Sequence, residues 1–116
     1  MRITAFDCEA ASYEDSRRAR LQVRYQVEGQ PLSLWIHFQV PGRQAGESGG
    51  HTLRATGTTY VTVDLDRELF ENAYLMPVSF WQGPTNDLLF KVGVQLGLDE
   101  FGRPTATKVV LPPLDT

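Results

Sequence analysis

Hydrophobic and polar residues alternate one by one along most of the chain, which is the pattern of β-strands that bury one face. In the segment 32–40, Leu34 and Ile36 are predicted to face one side of a sheet, and Trp35 and His37 the other. The segments that alternate in this way are 2–8, 20–28, 32–40, 59–65, 74–81, 88–98 and 105–111. This pattern predicts an all-β, mainly antiparallel fold.

The residues between and within these segments indicate how the strands are arranged. Only Gly-Gln-Pro at 29–31 separates 20–28 from 32–40, which predicts a tight hairpin between antiparallel neighbours. Pro77 has no backbone N–H to donate to a ladder. The segment 74–81 is therefore predicted to be an edge strand or to contain a bulge.

One short helix is predicted at 66–73, with Asp66 as its N-terminal cap. No helical pattern of ten residues separates consecutive strands, which argues against parallel βαβ units. We therefore predict one β-sandwich domain over 1–116, with about seven strands and one short helix. A small OB-like β-barrel is the alternative, because alternation defines the faces of a sheet but not whether it closes.

Length and composition are those of one globular domain: 116 residues, of which 41% are hydrophobic and 22% charged. The net charge of -3 disfavours binding to a phosphate backbone. Cys8 is the single cysteine, so no internal disulfide can form. With no apolar leader at the amino terminus and no stretch near the roughly 18 apolar residues of a spanning helix, we expect a cytoplasmic protein without membrane contact.

The sequence holds no recognisable constellation for catalysis or metal binding. Cys8 lies on a predicted strand, where a small thiol is expected to belong to the core. Ser48 lies between glycines but lacks the preceding strand and following helix of a nucleophile elbow. The acidic cluster is interpreted as a solvated strand-to-helix junction, and it comprises Asp64, Asp66 and Glu68. We predict a protein that is not an enzyme and needs no metal or cofactor.

Both tryptophans fall at positions that are predicted to face solvent. Trp35 and Trp81 each lie opposite the apolar face of their strand, and such exposure of tryptophan typically marks a partner interface. If the two strands share a sheet, they form a patch flanked by Arg24, Lys91 and Gln95. The predicted partner-binding residues are Trp35, His37, Trp81, Leu89, Arg24 and Lys91. The alternative is that other segments cover them as a second, minor core.

The sequence supports three functional hypotheses. The first is an interaction or assembly module that acts through protein–protein contacts, including self-association as a homo-oligomer. The second is binding of single-stranded nucleic acid on an OB-like barrel, with aromatic stacking platforms. The residues considered for stacking are Trp35, Tyr60, Tyr74 and Trp81. The third is a domain that binds a small molecule or carbohydrate on aromatic and polar side chains.

Overall fold

The computed structural model of the protein describes residues 2–29, 33–41, 50–51, 57–83 and 87–110; Ser48 lies outside them. The described residues form eight strands and one short helix. In chain order these are β1 (Arg2–Tyr13), β2 (Arg18–Glu28), β3 (Ser33–Phe38), β4 (Gly50–His51), β5 (Gly57–Asp66), α1 (Arg67–Glu71), β6 (Leu75–Gly83), β7 (Asp87–Leu98) and β8 (Pro104–Val109).

The strands form two antiparallel sheets whose apolar faces meet. One has three strands in the order β1-β2-β5, and the other has five in the order β4-β3-β6-β7-β8. The prediction of an all-β fold of antiparallel strands is confirmed. β4 was not predicted, because it contributes only two residues, which pair with Leu34 and Trp35 at the edge of the larger sheet.

An aromatic cluster joins the two sheets at the centre of the core. The ring of Phe80 on β6 lies edge-on to Phe6 of β1 and to Tyr25 of β2, with centroids 5.7 and 5.1 Å away. All three side chains are almost fully buried. Edge-to-face pairs add attraction beyond the burial of apolar area itself. This cluster therefore holds the sheets together at their centre.

β2 and β3 belong to different sheets, so the predicted hairpin between 20–28 and 32–40 is wrong. β2 pairs with β1 and β5, whereas β3 pairs with β4 and β6. Gly29, directly after β2, has a φ of 106°, which glycine adopts without steric cost. A short segment between two strands is compatible with a hairpin in one sheet and also with a crossing from one packed sheet to the other. In both arrangements the apolar face of each strand is buried in the same core.

Pro77 lies on an interior strand, since β6 is paired with β3 on one side and β7 on the other. Of the two predicted alternatives, the edge strand is therefore wrong, whereas a register shift does occur in the pairing of β6 with β7, between Phe80 and Trp81. The ladder between β3 and β6 ends at Phe38 and Val78, and one residue farther the Gln39 N–H donates to the Pro77 carbonyl at 3.0 Å. The return bond from Pro77 is missing, and the Tyr74 hydroxyl donates to the Gln39 carbonyl instead, at 3.1 Å. Proline is tolerated here because a side chain replaces its missing donor.

α1 is shorter than the predicted 66–73, and Asp66 makes no capping side-chain hydrogen bond to it. Phe70 is its anchor, because this side chain is 1% exposed and belongs to the core. The helix ends where Ala73 adopts a positive φ of 50° and the Tyr74 N–H donates to the Leu69 carbonyl. Among the described residues, no helix has the length and apolar character required to cross a membrane.

Candidate interaction face

The two tryptophans lie directly opposite each other on the outer face of the five-stranded sheet. Trp35 of β3 is the register partner of Trp81 on β6. The side chain of Trp35 is 48% exposed, while Trp81 is half-buried. A direct cross-strand pair brings the side chains to within roughly 5 Å at Cβ. The ladder therefore assembles the two indoles into one surface.

The indole N–H groups of this pair are placed differently. The Trp81 Nε1–H donates to the Ser79 hydroxyl at 2.9 Å, two residues earlier on the same face of β6. This bond satisfies the polar atom of Trp81 within its own strand. Among the described residues, no such hydrogen bond is made by the indole N–H of Trp35.

His37 lies beside the tryptophan pair, opposite Ser79 in the ladder. Its imidazole is half-buried, and its Nε2 atom is enclosed without a hydrogen-bond partner in the part of the chain that the structure describes. Lys91 follows on the next strand, because Ser79 pairs with it across β6 and β7. Lys91 is exposed and forms no ion pair with another described residue. Two of the predicted residues, His37 and Lys91, therefore lie in one row of the sheet face, on either side of Ser79.

A bulge between β6 and β7 changes which leucine reaches this surface. The register shifts between Phe80 and Trp81, so Trp81 pairs with Leu88, which is 49% exposed. Leu89 is half-buried and packs against the core instead. The placement predicted for Leu89 is therefore wrong, because one unpaired residue reverses the alternation locally. We call the surface formed by Trp35, His37, Trp81, Leu88 and Lys91 the tryptophan face.

Arg24 does not flank the tryptophan face, since it lies on the outer surface of the three-stranded sheet. There its guanidinium contacts Asp7 at 3.2 Å and Glu9 at 3.0 Å. The hydrogen bond that Arg24 donates to the Asp7 carboxylate and the negative charge of Glu9 raise the pKa of Arg24. The predicted role of Arg24 beside Trp35 is thus wrong in geometry, because strand alternation identifies a polar face but not the sheet that carries it.

Gln95 also has a local structural role. Its side-chain amide donates to the Ala73 carbonyl at 2.8 Å and thereby ties the end of α1 to β7. The remaining aromatic residues considered for base stacking lie apart from the tryptophan pair. Tyr60 is on the outer surface of the three-stranded sheet, and Tyr74 packs against the core. These four aromatic side chains do not form one platform.

Cys8 of β1 is half-buried and packs against the core. Burial, followed by the neighbouring Asp7 carboxylate, raises the pKa of the thiol to about 11, and Lys108 acts in the opposite direction. A raised pKa keeps the neutral thiol at physiological pH, and only the thiolate is a strong nucleophile. Elsewhere in the described residues, no group of three His, Cys, Asp or Glu side chains converges in a way that could hold a metal ion.

We expect iodoacetamide to modify Cys8 in the folded protein at pH 7 about 100-fold more slowly than in the unfolded chain. The rate should rise with pH, because the thiolate forms only as the solution approaches the raised pKa. Mass spectrometry of timed aliquots, with and without guanidinium chloride, measures both rates. Cys8→Ser supplies the background, and equal rates in the two conditions would contradict this placement of the thiol.

Comparison with known proteins returns no match: no family model, curated protein or solved structure shows significant similarity to the chain.

Proposed function

We propose that the protein is a non-enzymatic interaction module that associates with a second copy of itself through the tryptophan face. The observation that carries this proposal is the direct pairing of Trp35 with Trp81 on an outer sheet face, with Trp35 48% exposed. Leu88, 49% exposed, extends the apolar surface onto β7. Contiguous apolar patches with tryptophan at their centre are typical anchors of protein interfaces.

The charges on the face favour a second copy over a strongly charged partner. Of the residues that define the tryptophan face, only Lys91 carries a full charge at neutral pH. A twofold arrangement can bury the apolar side chains of both copies and leave each Lys91 at the solvated rim. A strongly acidic partner could form an ion pair with only one residue of this face, Lys91, so charge attraction would contribute little to its binding. Twofold homodimers are also the commonest symmetric assemblies.

The expected contribution of Trp35 to such a dimer is large. Covering the exposed half of an indole removes on the order of 100 Å² of apolar area from water, which corresponds to about 2.5 kcal/mol. A twofold interface contains the residue twice. We therefore expect Trp35→Ser to raise the dimer dissociation constant by at least about 100-fold.

Sedimentation equilibrium of the full chain over a wide concentration range tests this prediction. Phe101→Ser is the matched control, because Phe101 is an aromatic residue that is 72% exposed in the turn between β7 and β8. Its dissociation constant should equal that of the wild type. Added salt should leave the association intact, since apolar burial drives it. A wild type that stays monomeric at millimolar concentration would refute the proposal, as would association that Trp35→Ser leaves unchanged.

We further infer that the protein acts in the cytoplasm. The support is the single cysteine, whose neutral thiol suits a compartment that keeps thiols reduced. Detection of the full-length protein in the soluble cytosolic fraction, with Cys8 in its thiol form, is the direct test.

A further inference from the structure

A polar depression lies on the outer surface of the three-stranded sheet, on the opposite side of the sandwich from the tryptophan face. Its volume is about 320 Å³, and its lining residues come from all three strands: Ala10, Ser12, Arg20, Gln22 and Thr62. This volume is near the lower end of the roughly 300–1,000 Å³ found for small-molecule sites. The depression therefore has room for a ligand of about the size of one or two sugar rings.

The sheet register explains why the depression forms. Ser12 pairs with Arg20 in one row, and Ala10, Gln22 and Thr62 form the next row across β1, β2 and β5. The central strand carries the long side chains, whereas the flanking strands carry short ones. A bulge between Cys8 and Ala10 shifts β1 at this position. Space is left on either side of the central row.

Three neutral polar side chains line this space without a hydrogen-bond partner in the described part of the chain. Ser12, Gln22 and Thr62 make no side-chain hydrogen bond to another described residue. Together they present two hydroxyl groups and one amide, each of which both donates and accepts. Such a set matches a ligand whose own groups both donate and accept, and hydroxyl groups on a sugar ring have this property.

The neighbouring charges are already neutralised within the protein. Arg20 contacts Glu14 at 2.6 Å and Asp64 at 3.3 Å, and Arg24 in the adjacent row is held by Asp7 and Glu9. An anionic ligand would have to compete with these carboxylates for each guanidinium. The electrostatics of the surface therefore favour a neutral ligand over a phosphate or an acidic peptide.

An exposed aromatic ring lies next to the depression. Tyr60 is two residues before Thr62 on the same face of β5 and is 55% exposed. Two residues along a strand span about 6.6 Å, which is close to the length of one pyranose ring. The flat face of an aromatic ring is complementary to the C–H face of a sugar. We propose that this surface binds a neutral oligosaccharide, with one ring on Tyr60 and the hydroxyl groups of the next ring bonded to Gln22, Ser12 and Thr62.

Titration of the full chain with maltohexaose, cellohexaose and mannohexaose tests the proposal, followed by ¹H–¹⁵N correlation spectra. At least one of these probes should shift the Gln22 side-chain amide and the backbone signals of Tyr60 and Thr62. The indole signals of Trp35 and Trp81 should stay in place, which separates this site from the tryptophan face. Gln22→Ala and Tyr60→Ala should each weaken binding at least about 10-fold, whereas Tyr60→Phe should retain it.

Gln26→Ala is the matched control, because Gln26 is an exposed residue of the same strand and face, away from the depression. Its affinity should equal that of the wild type. Absence of shifts with all three probes at about 10 mM would overturn the proposal, since even a weak site with a millimolar dissociation constant would be occupied. Binding that Gln22→Ala and Tyr60→Ala leave unchanged would overturn it as well. Neither result bears on self-association, which is measured by sedimentation.

Discussion

Replacing Phe80 by alanine is expected to destabilise the protein by about 3–5 kcal/mol. The ring is fully buried and lies against Phe6, Tyr25 and Phe90, at centroid distances of 5.7, 5.1 and 5.9 Å. Truncation removes these contacts and leaves a cavity that could close only if the two sheets moved closer together, which the surrounding core side chains prevent. Because domains of this kind have a total stability of about 5–15 kcal/mol, the loss is a large fraction of the whole.

Urea denaturation followed by far-ultraviolet circular dichroism measures the effect. Phe101→Ala is the control, because that ring is 72% exposed and its removal should change the free energy of unfolding by less than about 0.5 kcal/mol. The same residue type is thus truncated inside and outside the core. Equal unfolding free energies for the two variants would show that Phe80 does not occupy the centre of the sandwich.

The substitution Val23→Asp is expected to destabilise the protein severely at neutral pH. Val23 is fully buried in β2 between Cys8 of β1 and Val61 of β5, so the substitution exchanges apolar contacts for an unpaired charge in the core. The substitution should lower the free energy of unfolding by more than about 4 kcal/mol. Gln26→Asp is the control on the same strand, because residue 26 is exposed and the change should cost no more than about 1 kcal/mol.

The pH dependence of this defect has a definite sign. Burial would raise the pKa of the introduced carboxyl, so the folded state binds its proton more tightly than the unfolded chain does. Val23→Asp should therefore recover stability relative to Val23→Asn as the pH falls from about 7 towards 4. Thermal unfolding of both variants across this range is the measurement. A difference between them that does not change with pH would mean that residue 23 is in contact with water.

The two candidate surfaces lie on opposite sheets and differ in chemistry. The tryptophan face is apolar with one cation, whereas the surface around Gln22 and Tyr60 carries neutral polar groups and internally paired charges. A module with both surfaces could self-associate through one sheet and keep the other accessible. The variants Trp35→Ser and Gln22→Ala should consequently act independently, each affecting only its own assay.

The positions of Trp35 and Trp81 could be predicted from the sequence only in part. Alternation alone assigns each indole to the outward side of its strand, and both lie there. That they face each other as direct ladder partners depends on the pairing of β3 with β6, which local residues do not encode. Arg24 shows the converse, since its polar face was predicted correctly and its sheet was not.

Leu88 and the depression on the smaller sheet were not predicted for a related reason. The bulge at Phe80 and Trp81 carries no sequence signal of its own, yet it exchanges the environments of Leu88 and Leu89. Ser12, Gln22 and Thr62 are ordinary polar residues of three separate strands. They form a site only because β1, β2 and β5 align them in register.

The amino-acid sequence by itself determined where most of the strands run and, apart from the bulge at Leu88 and Leu89, which side chains they turn inward, because that periodicity is a property of a single extended segment. Which strands become neighbours, as with β2 and β3 in separate sheets, was decided only by the tertiary structure. The physical reason is that inward-facing apolar side chains gain nearly the same burial from either sheet of a sandwich. The choice between pairings therefore depends on packing the whole core, including Phe6, Tyr25 and Phe80, at once.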